Sequence, residues 1–262
     1  MTKISNLLNT RAVRGAWCVT VVALMACGTK EAAGPLEPSG PTGRVRFVNL
    51  ITDPARNPVN AILEKVPFGV NLGYTGSTPS SLPAPNTANY SAIYAGDRSL
   101  VLKKTADTTV TVANLTFNVA ANTDVTVYAV GGTNGAAVTQ FLTTDDNTSV
   151  AAGTTRLRIV NLSPAAGAVD VFITAPNADL STATPVASGV AEPGSSTYVT
   201  TITPGTYQVR AVPAGTAPAN RGASVVASIA SISLASGAAR TIVIADKAAG
   251  GGPSTAFLLT DQ

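Results

Sequence analysis

The chain contains the same unit twice, and this repeat constrains its fold more than any other feature. Residues 44–50 (RVRFVNL) recur 112 positions later as residues 156–162 (RLRIVNL). The units also end on matching phrases, FLTTDD at residues 141–146 and FLLTDQ at residues 257–262. A unit of about a hundred residues is the size of an ordinary domain. The sequence therefore predicts two domains, residues 44–146 (repeat 1) and residues 147–262 (repeat 2), with residues 147–155 as a polar connection.

Both repeats are predicted to be all-β. Apolar and polar residues alternate with a period of two around Val110 and Val112, as in half-buried strands. Glycine beside aspartate within residues 94–98 predicts a hairpin turn. The candidate strands of repeat 1 are residues 44–50, 58–64, 88–94, 98–104, 109–118, 125–130 and 138–143. Short strands in this number, separated by turns, predict two tandem antiparallel β-sandwiches of the immunoglobulin or transthyretin type.

Residues 1–26 are predicted to be an export signal. They carry Lys3, Arg11 and Arg14 before a 12-residue apolar run, which is too short to span a bilayer. The run ends in Leu-Met-Ala before Cys27, which resembles the lipobox of bacterial lipoproteins. The resemblance implies cleavage before Cys27, a thioether-linked diacylglycerol on its sulfur, and an acyl chain such as palmitate on its amine. The alternatives are an ordinary cleaved signal with a chance cysteine, and a retained N-terminal anchor.

Residues 27–43 are predicted to be the lipidated cysteine followed by a flexible Pro- and Gly-rich tether. Gly28 stands where proteobacterial lipoproteins of the inner membrane have an aspartate. By the same resemblance, we expect the protein in the outer membrane, facing the periplasm or the cell surface.

The sequence lacks the residues that most catalytic and metal sites need. It has no histidine, and its only cysteines are Cys18 and Cys27. Ser-His-Asp, Cys-His and zinc sites are therefore excluded. A glycosidase needs two carboxylates across a cleft, and the sequence singles out no such pair. We expect no enzyme activity, no catalytic residue, no cofactor and no metal.

Charge argues against a nucleic-acid partner. Removing residues 1–26 takes three of the 17 basic residues and leaves 14, equal to the 14 acidic residues. The mature chain would be near neutral and would carry no basic stripe.

Residues 157–173 (LRIVNLSPAAGAVDVFI) resemble the opening motif of the bacterial family known as domain of unknown function 4397. The resemblance covers nearly the whole mature chain. It implies exported, often lipid-anchored and often tandem all-β sandwiches, but it implies little chemistry. Repeat 1 departs from the motif, with residues 50–54 (LITDP) at the place of Ser163 and Pro164 and with Asn60 at the place of Asp170. If Asp170 carried a function, repeat 1 would have lost it.

Three residues of repeat 2 are candidate ligand-binding residues: Asp170, Asn161 and Arg158. Asp170 lies on the opposite face of its strand from Val169 and Val171, so it either contacts a ligand or pairs at the surface with one of the two arginines at the start of the repeat, Arg156 or Arg158. Asn161 ends a strand, as Asn49 does in repeat 1. Its amide either binds a ligand or satisfies backbone groups of the next loop.

Two further groups leave alternatives open. Asp145, Asp146 and Asn147 either supply oxygen ligands to calcium or form a turn that ends a strand. Tyr198 and Tyr207 are expected on adjacent strands, and Tyr90 occupies the place of Tyr198 in repeat 1. These tyrosines are either sugar-binding platforms or packing residues.

The sequence as a whole predicts a lipid-anchored cell-envelope protein that acts as a non-catalytic structural or interaction module. The alternative is a carbohydrate-binding surface lipoprotein. The expected partners are the membrane, through the lipid, and an unknown envelope protein or glycan. We expect a monomer whose two repeats fold independently. Residues 255–262 are expected to close repeat 2 as a strand, with Phe257 and Leu259 entering its core.

Overall fold

The structure is a computed structural model that describes residues 40–79 and 88–261. The predicted signal, Cys27 and most of the tether lie outside these described residues. The described residues all fall within one compact unit, Pro38–Gln262. Within them, no helix is long and apolar enough to cross a membrane.

Each repeat forms two sheets, which we call inner and outer. The inner sheet of repeat 1 contains β1 (Thr42–Ile51), β4 (Ser77–Thr78), β5 (Ser91–Tyr94), β8 (Asp124–Gly131) and β9 (Val138–Asp145). Its outer sheet contains β2 (Val59–Leu63), β3 (Val66–Leu72), β6 (Gly96–Lys104) and β7 (Asp107–Val119). A short 3-10 helix, Thr133–Gly135, precedes β9.

Repeat 2 has the same two sheets. Its inner sheet contains β10 (Thr155–Leu162), β13 (Gly194–Ser195), β14 (Val199–Ile202), β17 (Ala239–Ala245) and β18 (Thr255–Thr260). Its outer sheet contains β11 (Val169–Thr174), β12 (Ala187–Val190), β15 (Gly205–Pro213) and β16 (Ala227–Leu234). A 3-10 helix, Pro218–Ser224, connects β15 to β16. The predicted all-β sandwich class is confirmed.

The central pair of each inner sheet differs from the expected antiparallel pattern. β1 runs parallel to β8, and β10 runs parallel to β17. Parallel neighbours need a long crossover connection. In repeat 1 the chain goes from β1 to β2 and β3 of the outer sheet and returns to the inner sheet in β4 and β5, which run antiparallel to β1. It then crosses the outer sheet a second time in β6 and β7 and re-enters the inner sheet as β8, which runs parallel to β1.

The predicted hairpin at residues 94–98 is wrong. Tyr94 ends β5 in the inner sheet, and Gly96 begins β6 in the outer sheet. Gly96 has a φ of 115°, which an L-residue rarely adopts, so the chain turns sharply here. Turn residues show that a chain changes direction, but they do not show which sheet it enters next. The expectation that Tyr198 and Tyr207 lie on adjacent strands fails for the same reason. Tyr198 precedes β14 of the inner sheet, whereas Tyr207 lies in β15 of the outer sheet.

Two strands of repeat 1 have no counterpart among the predicted strands. β3 contains Pro67 and Gly69, which weaken a strand signal. It follows β2 through Glu64 and Lys65, whose φ values are 49° and 69°. Positive φ at both central residues matches a two-residue hairpin turn, although such turns usually contain asparagine or glycine. β4 has only two residues and leaves no periodic pattern.

Each repeat has its own hydrophobic core between its two sheets. The core of repeat 1 includes Phe47, Leu102 and Phe117, and the core of repeat 2 includes Ile159, Val209 and Ile242. A third cluster joins the outward faces of the two inner sheets. Its buried members are Val48, Leu50, Tyr128, Val160, Leu162, Val243, Ala245 and Leu259. The four sheets therefore stack in layers, with the two inner sheets face to face.

The closing strand of repeat 2 forms as expected, because β18 pairs with β17 along its whole length. Phe257 and Leu259 do share one face, but that face packs between the inner sheets rather than in the core of repeat 2. Ala256 and Leu258 face the core instead. The expectation failed because it assumed that each inner sheet has only one buried face.

Candidate functional site

Four charged side chains meet between the inner sheets, and we call them the charge cluster: Arg46, Asp145, Arg158 and Asp261. Each residue is less than a tenth exposed. A guanidinium nitrogen of Arg46 lies 2.8 Å from a carboxylate oxygen of Asp261. The matching distance from Arg158 to Asp145 is 2.5 Å. The arginine of each repeat therefore pairs with the aspartate of the other repeat.

This crossed pattern follows from the repeat itself. Arg46 and Arg158 hold the same place in RVRFVNL and RLRIVNL, and Asp145 and Asp261 hold the same place in the closing phrases. The opening strand and the closing strand flank the last-but-one strand in each inner sheet. Because equivalent faces of two equivalent sheets meet, the contact has an approximate two-fold symmetry.

Neighbouring strands supply further hydrogen bonds to the cluster, and these also come in equivalent pairs. Thr126 on β8 donates its hydroxyl to Asp145, and Thr241 on β17 donates to Asp261 at 2.7 Å. The arginines also reach backbone carbonyls across the contact. Arg46 donates to the carbonyl of Thr260 at 2.7 Å, and Arg158 donates to that of Thr144 at 3.1 Å.

A tyrosine covers each arginine. The guanidinium carbon of Arg46 lies 4.6 Å from the ring centre of Tyr90, and that of Arg158 lies 4.9 Å from the ring centre of Tyr198. Both distances are within the range of cation–π attraction. The Tyr90 hydroxyl also donates to Asp145 at 2.8 Å. The equivalence of Tyr90 and Tyr198 is confirmed, and both rings serve packing rather than an exposed platform.

The electrostatics favour the charged form of both arginines. Burial alone would lower the pKa of Arg46 and of Arg158, but the phenol and carboxylate groups around them outweigh burial and raise both pKa values. Burial raises the pKa of Tyr90 and of Tyr128, which keeps both phenols neutral, and the nearby arginines offset only part of that effect. The cluster therefore consists of two cations and two hydrogen-bonded carboxylates with neutral phenols around them.

Arg158 is therefore placed by the structure in the contact between the repeats. Its guanidinium group contacts Asp145, Thr143, Thr144 and Thr241. It does not pair with Asp170, and neither does Arg156, which binds Asp146 at 2.8 Å. The three candidate ligand-binding residues of repeat 2 are not brought together into one site.

Asn161 and Asn49 bind backbone carbonyls of neighbouring segments, including the ends of the outer-sheet strands β12 and β3. The amide nitrogen of Asn161 donates to the carbonyls of Gly167 at 2.7 Å and Val190 at 3.1 Å. Asn49 donates in the same way to the carbonyls of Leu72 and Gly73. Of the two roles considered from the sequence, the contacts show the one in which the amide satisfies backbone groups.

Asp170 accepts backbone hydrogen bonds from Gly189 at 2.7 Å and Gly215 at 3.2 Å. Its predicted pairing with an arginine is wrong, because Arg156 and Arg158 belong to the inner sheet whereas Asp170 lies in the outer sheet. Asn60 takes its place in repeat 1 and accepts the backbone N–H of Asn71 at 2.9 Å. A neutral amide oxygen can accept the same kind of bond, which explains why the change from Asp to Asn is tolerated.

Asp145, Asp146 and Asn147 end β9 and begin the connection to repeat 2. Asp145 belongs to the charge cluster, Asp146 binds Arg156, and the Asn147 amide donates to Asp124 at 2.6 Å. Hydrogen bonds from Thr148 lower the pKa of Asp146. No group of three or more candidate metal ligands occurs within residues 40–79 and 88–261.

A polar cleft of about 580 Å³ lies beside the cluster, and its lining includes Arg44, Asn122, Asp124, Asp146 and Asn147. Arg44 binds Asp124 at 2.5 Å, but its side chain is half exposed. The Asn147 side-chain oxygen has no hydrogen-bond partner among the described residues, but it is buried, so the accessible amide of the cleft is that of Asn122. The cleft can therefore offer charged and amide groups to a polar ligand.

Sequence reasoning singled out two of the four cluster residues, Arg158 as a candidate ligand-binding residue and Asp145 as a calcium ligand or turn residue. It missed Arg46, Asp261 and the pairing between repeats. The sequence does contain a signal that this strand is buried on both faces. The alternate positions of RVRFVNL that should face solvent include Val48 and Leu50, which are apolar. A strand that is apolar on both faces is buried on both faces.

These observations define the protein as a pair of mixed β-sandwiches joined through a buried, symmetric charge cluster. Residues 43–172 match the model of the family described as "Domain of unknown function (DUF4397)". The resemblance to this family stated from the sequence is confirmed over these residues, which cover repeat 1 and the opening of repeat 2 rather than nearly the whole mature chain. No curated protein sequence matches the chain at a significant level.

Several solved structures are similar to the chain at low identity. One contains the α-glucan-recognising family 41 carbohydrate-binding modules from streptococcal virulence factors, with 10% identity, 82% of this chain and 96% of that chain covered, and a TM-score of 0.27. A structure of α-glucan binding by a streptococcal virulence factor has 10% identity, covers 83% and 96%, and has a TM-score of 0.24. The Bacillus anthracis TIE protein has 11% identity, covers 82% and 34%, and has a TM-score of 0.23. With TM-scores this low, the likenesses carry no inference for this chain.

Proposed function

We propose that the protein is a lipid-anchored cell-envelope protein whose two sandwiches act as one rigid, non-catalytic structural or interaction module. The observation that carries this proposal is the crossed pairing of Arg46 with Asp261 and of Arg158 with Asp145. These residues lie at the centre of the described unit, and the pairing uses their charge to hold one repeat on the other.

The rigidity follows from the cost of breaking the contact. Separating the repeats would break both crossed pairs and would expose to water a surface that is buried in the folded unit. The apolar cluster around the charges, from Val48 to Leu259, would be exposed at the same time. A body of this kind keeps two sandwiches at a fixed angle, which suits a spacer or a binding platform.

The proposed membrane location rests on the sequence of residues 1–27, which precede the described part of the chain. Cys27 at the end of a short apolar run would carry a diacylglycerol and an acyl chain on the mature protein. Two or more chains hold a protein stably on a membrane, whereas one chain holds it only marginally. The outer membrane remains our proposal for the anchoring site, with the module facing the periplasm or the surface.

Mass spectrometry of the mature N-terminal peptide tests the anchor. We expect a peptide that begins at Cys27 and carries the lipid mass, and we expect Cys27→Ala to release the protein from the membrane fraction. An unmodified Cys27, or a mature N-terminus elsewhere, would refute the lipoprotein proposal. A separate experiment, crosslinking in intact cells followed by purification of the protein, would identify the envelope partner.

A glycan array tests the alternative, carbohydrate binding, on the soluble residues 44–262. The polar cleft beside Asn122 and Asn147 is the place to look for such binding, because the tyrosines Tyr90 and Tyr198 are already stacked on arginines. Saturable and selective binding that Asn122→Ala weakens would favour the carbohydrate-binding alternative. No binding across the array would leave the structural or protein-binding module as the better account.

A further inference from the structure

The surface that joins the two repeats carries complementary charges on each side. Repeat 1 presents Arg46 and Asp145, and repeat 2 presents Arg158 and Asp261 at the equivalent places. The arginine of each side meets the aspartate of the other side. A surface of this kind does not require that its two halves come from one chain.

The chain connection is short and is held at the edge of the contact. Nine residues separate the end of β9 at Asp145 from the start of β10 at Thr155. Asp146 and Thr148 accept four hydrogen bonds from Arg156, two through side-chain oxygens at 2.8 Å and 3.0 Å and two through backbone carbonyls at 2.5 Å and 2.6 Å. The Asp146 N–H also donates to the Tyr198 hydroxyl at 3.0 Å. These bonds lie next to the crossed pairs and involve the start of repeat 2, so a chain that enters an exchanged dimer must keep or remake them. A short linker mainly raises the effective concentration of one repeat near the other, to the millimolar range. The closed monomer is favoured over the exchanged form for this reason.

The apolar part of the surface decides which repeats fit each other. By the register of the inner sheets, Tyr128 corresponds to Val243, and Thr143 corresponds to Leu259. A repeat 1 bound to another repeat 1 would place a tyrosine where Val243 now lies, and such overpacking is unfavourable. The size differences therefore favour contact between repeat 1 and repeat 2.

We propose that the contact between the repeats is also an interaction surface for a second copy of this chain. Repeat 1 of one chain binds repeat 2 of another, and the two remaining repeats bind in the same way. The resulting exchanged dimer keeps each crossed arginine–aspartate pair and each apolar contact of the closed monomer. Chains anchored densely on one membrane would meet the concentration at which exchange competes with closure.

Two charge-reversed forms of residues 38–262 test this directly. The first carries Arg158→Asp with Asp261→Arg, and the second carries Arg46→Asp with Asp145→Arg. In each form alone, like charges face each other inside the chain. In a mixture, repeat 1 of either form meets repeat 2 of the other with matched charges. We expect sedimentation of the equimolar mixture to show a 1:1 dimer with twice the mass of one chain.

The matched control carries all four substitutions in one chain, which restores opposite charges within that chain. We expect this form to sediment as a closed monomer. A mixture that stays unpaired while the fourfold variant folds as a monomer would overturn the proposal, because the surface would then work only within one chain.

If the reversed charges prevent folding of the fourfold variant, the unchanged residues 38–262 decide the matter. They are unfolded in urea and refolded at increasing protein concentration. At about 1 mM, which is the effective concentration that a short linker supplies, we expect roughly half of the chains in exchanged dimers. Monomers alone at that concentration would overturn the proposal.

Discussion

Arg46 and Asp261 lie 215 positions apart in the chain, and their side chains are joined by a hydrogen bond of 2.8 Å with almost no exposure to solvent. The bond links the first strand of repeat 1 to the residue that follows the last strand of repeat 2. Its counterpart, Arg158 with Asp145, links the first strand of repeat 2 to the last strand of repeat 1. Two sandwiches that could each stand as a domain are in this way made into one body.

Asp261→Asn is expected to destabilise residues 38–262 by about 3–5 kcal/mol, because it leaves the buried cation of Arg46 without its nearest anion. Urea unfolding measures the change. Arg44→Ala is the matched control, since Arg44 lies two residues away on the same strand but its pair with Asp124 is half exposed. A pair of that kind is worth at most about 1 kcal/mol. Equal losses for the two variants would contradict a special role for the buried pair.

An isolated repeat 2, residues 154–262, is expected to be much less stable than residues 38–262. The sequence led us to expect independent folding, since each repeat has its own sheets and core. Independent folding stays a prediction, but the structure shows what the isolated repeat would lose. It would expose Val160, Leu162 and Val243 and would lack both charged partners from repeat 1. Circular dichroism melts of the two proteins make the comparison. Equal melting temperatures would show that the contact contributes nothing.

Deletion of residues 255–262 is expected to unfold repeat 2 or to make it aggregate. β18 contributes Leu258 to the core of repeat 2 and Leu259 to the contact between repeats. Its loss also removes Asp261 and leaves β17 as a bare edge strand. Light scattering and circular dichroism of the truncated protein report the effect. A truncated protein that melts at the original temperature would contradict the assignment of β18 as a structural strand.

Alkaline pH is expected to destabilise the folded unit. Burial raises the pKa of Tyr74, Tyr90, Tyr128 and Tyr198 above the ordinary value of about 10. A group whose folded pKa is raised contributes stability that is present below its unfolded pKa and is lost as the pH rises towards the folded pKa. Absorbance at alkaline pH should therefore show four tyrosines that ionise late, and urea should bring all of them to about 10. Ionisation of every tyrosine near 10 in the folded protein would contradict this burial.

The strands with a clean pattern could be predicted from sequence. The alternation around Val125 and Val127 in β8 and the repeated phrase in β18 both gave true strands. β3 could not be predicted, because Pro67 and Gly69 interrupt it and its turn uses Glu64 and Lys65. A period of two identifies strands through the alternation of polar and apolar side chains, even in β8, where both faces are buried, and it is uninformative where a strand is irregular.

The charge cluster could not be predicted from either repeat alone, because its ion pairs form between the two repeats. Arg158 was a candidate ligand residue, yet its partner Asp145 lies in the other repeat and was considered only as a turn or a calcium ligand. Local pattern places a residue on a face of a strand. It does not say that the face will be covered by the equivalent face of a second copy, and that packing is what buries the four charges.

Differential scanning calorimetry of residues 38–262 tests the central claim that the two repeats form one cooperative unit. We predict a single transition whose van't Hoff enthalpy equals the calorimetric enthalpy. Unfolding of either repeat would break both crossed pairs and would expose the apolar face of the other repeat to water. Two separable transitions, with one insensitive to Asp145→Asn in the neighbouring repeat, would contradict it.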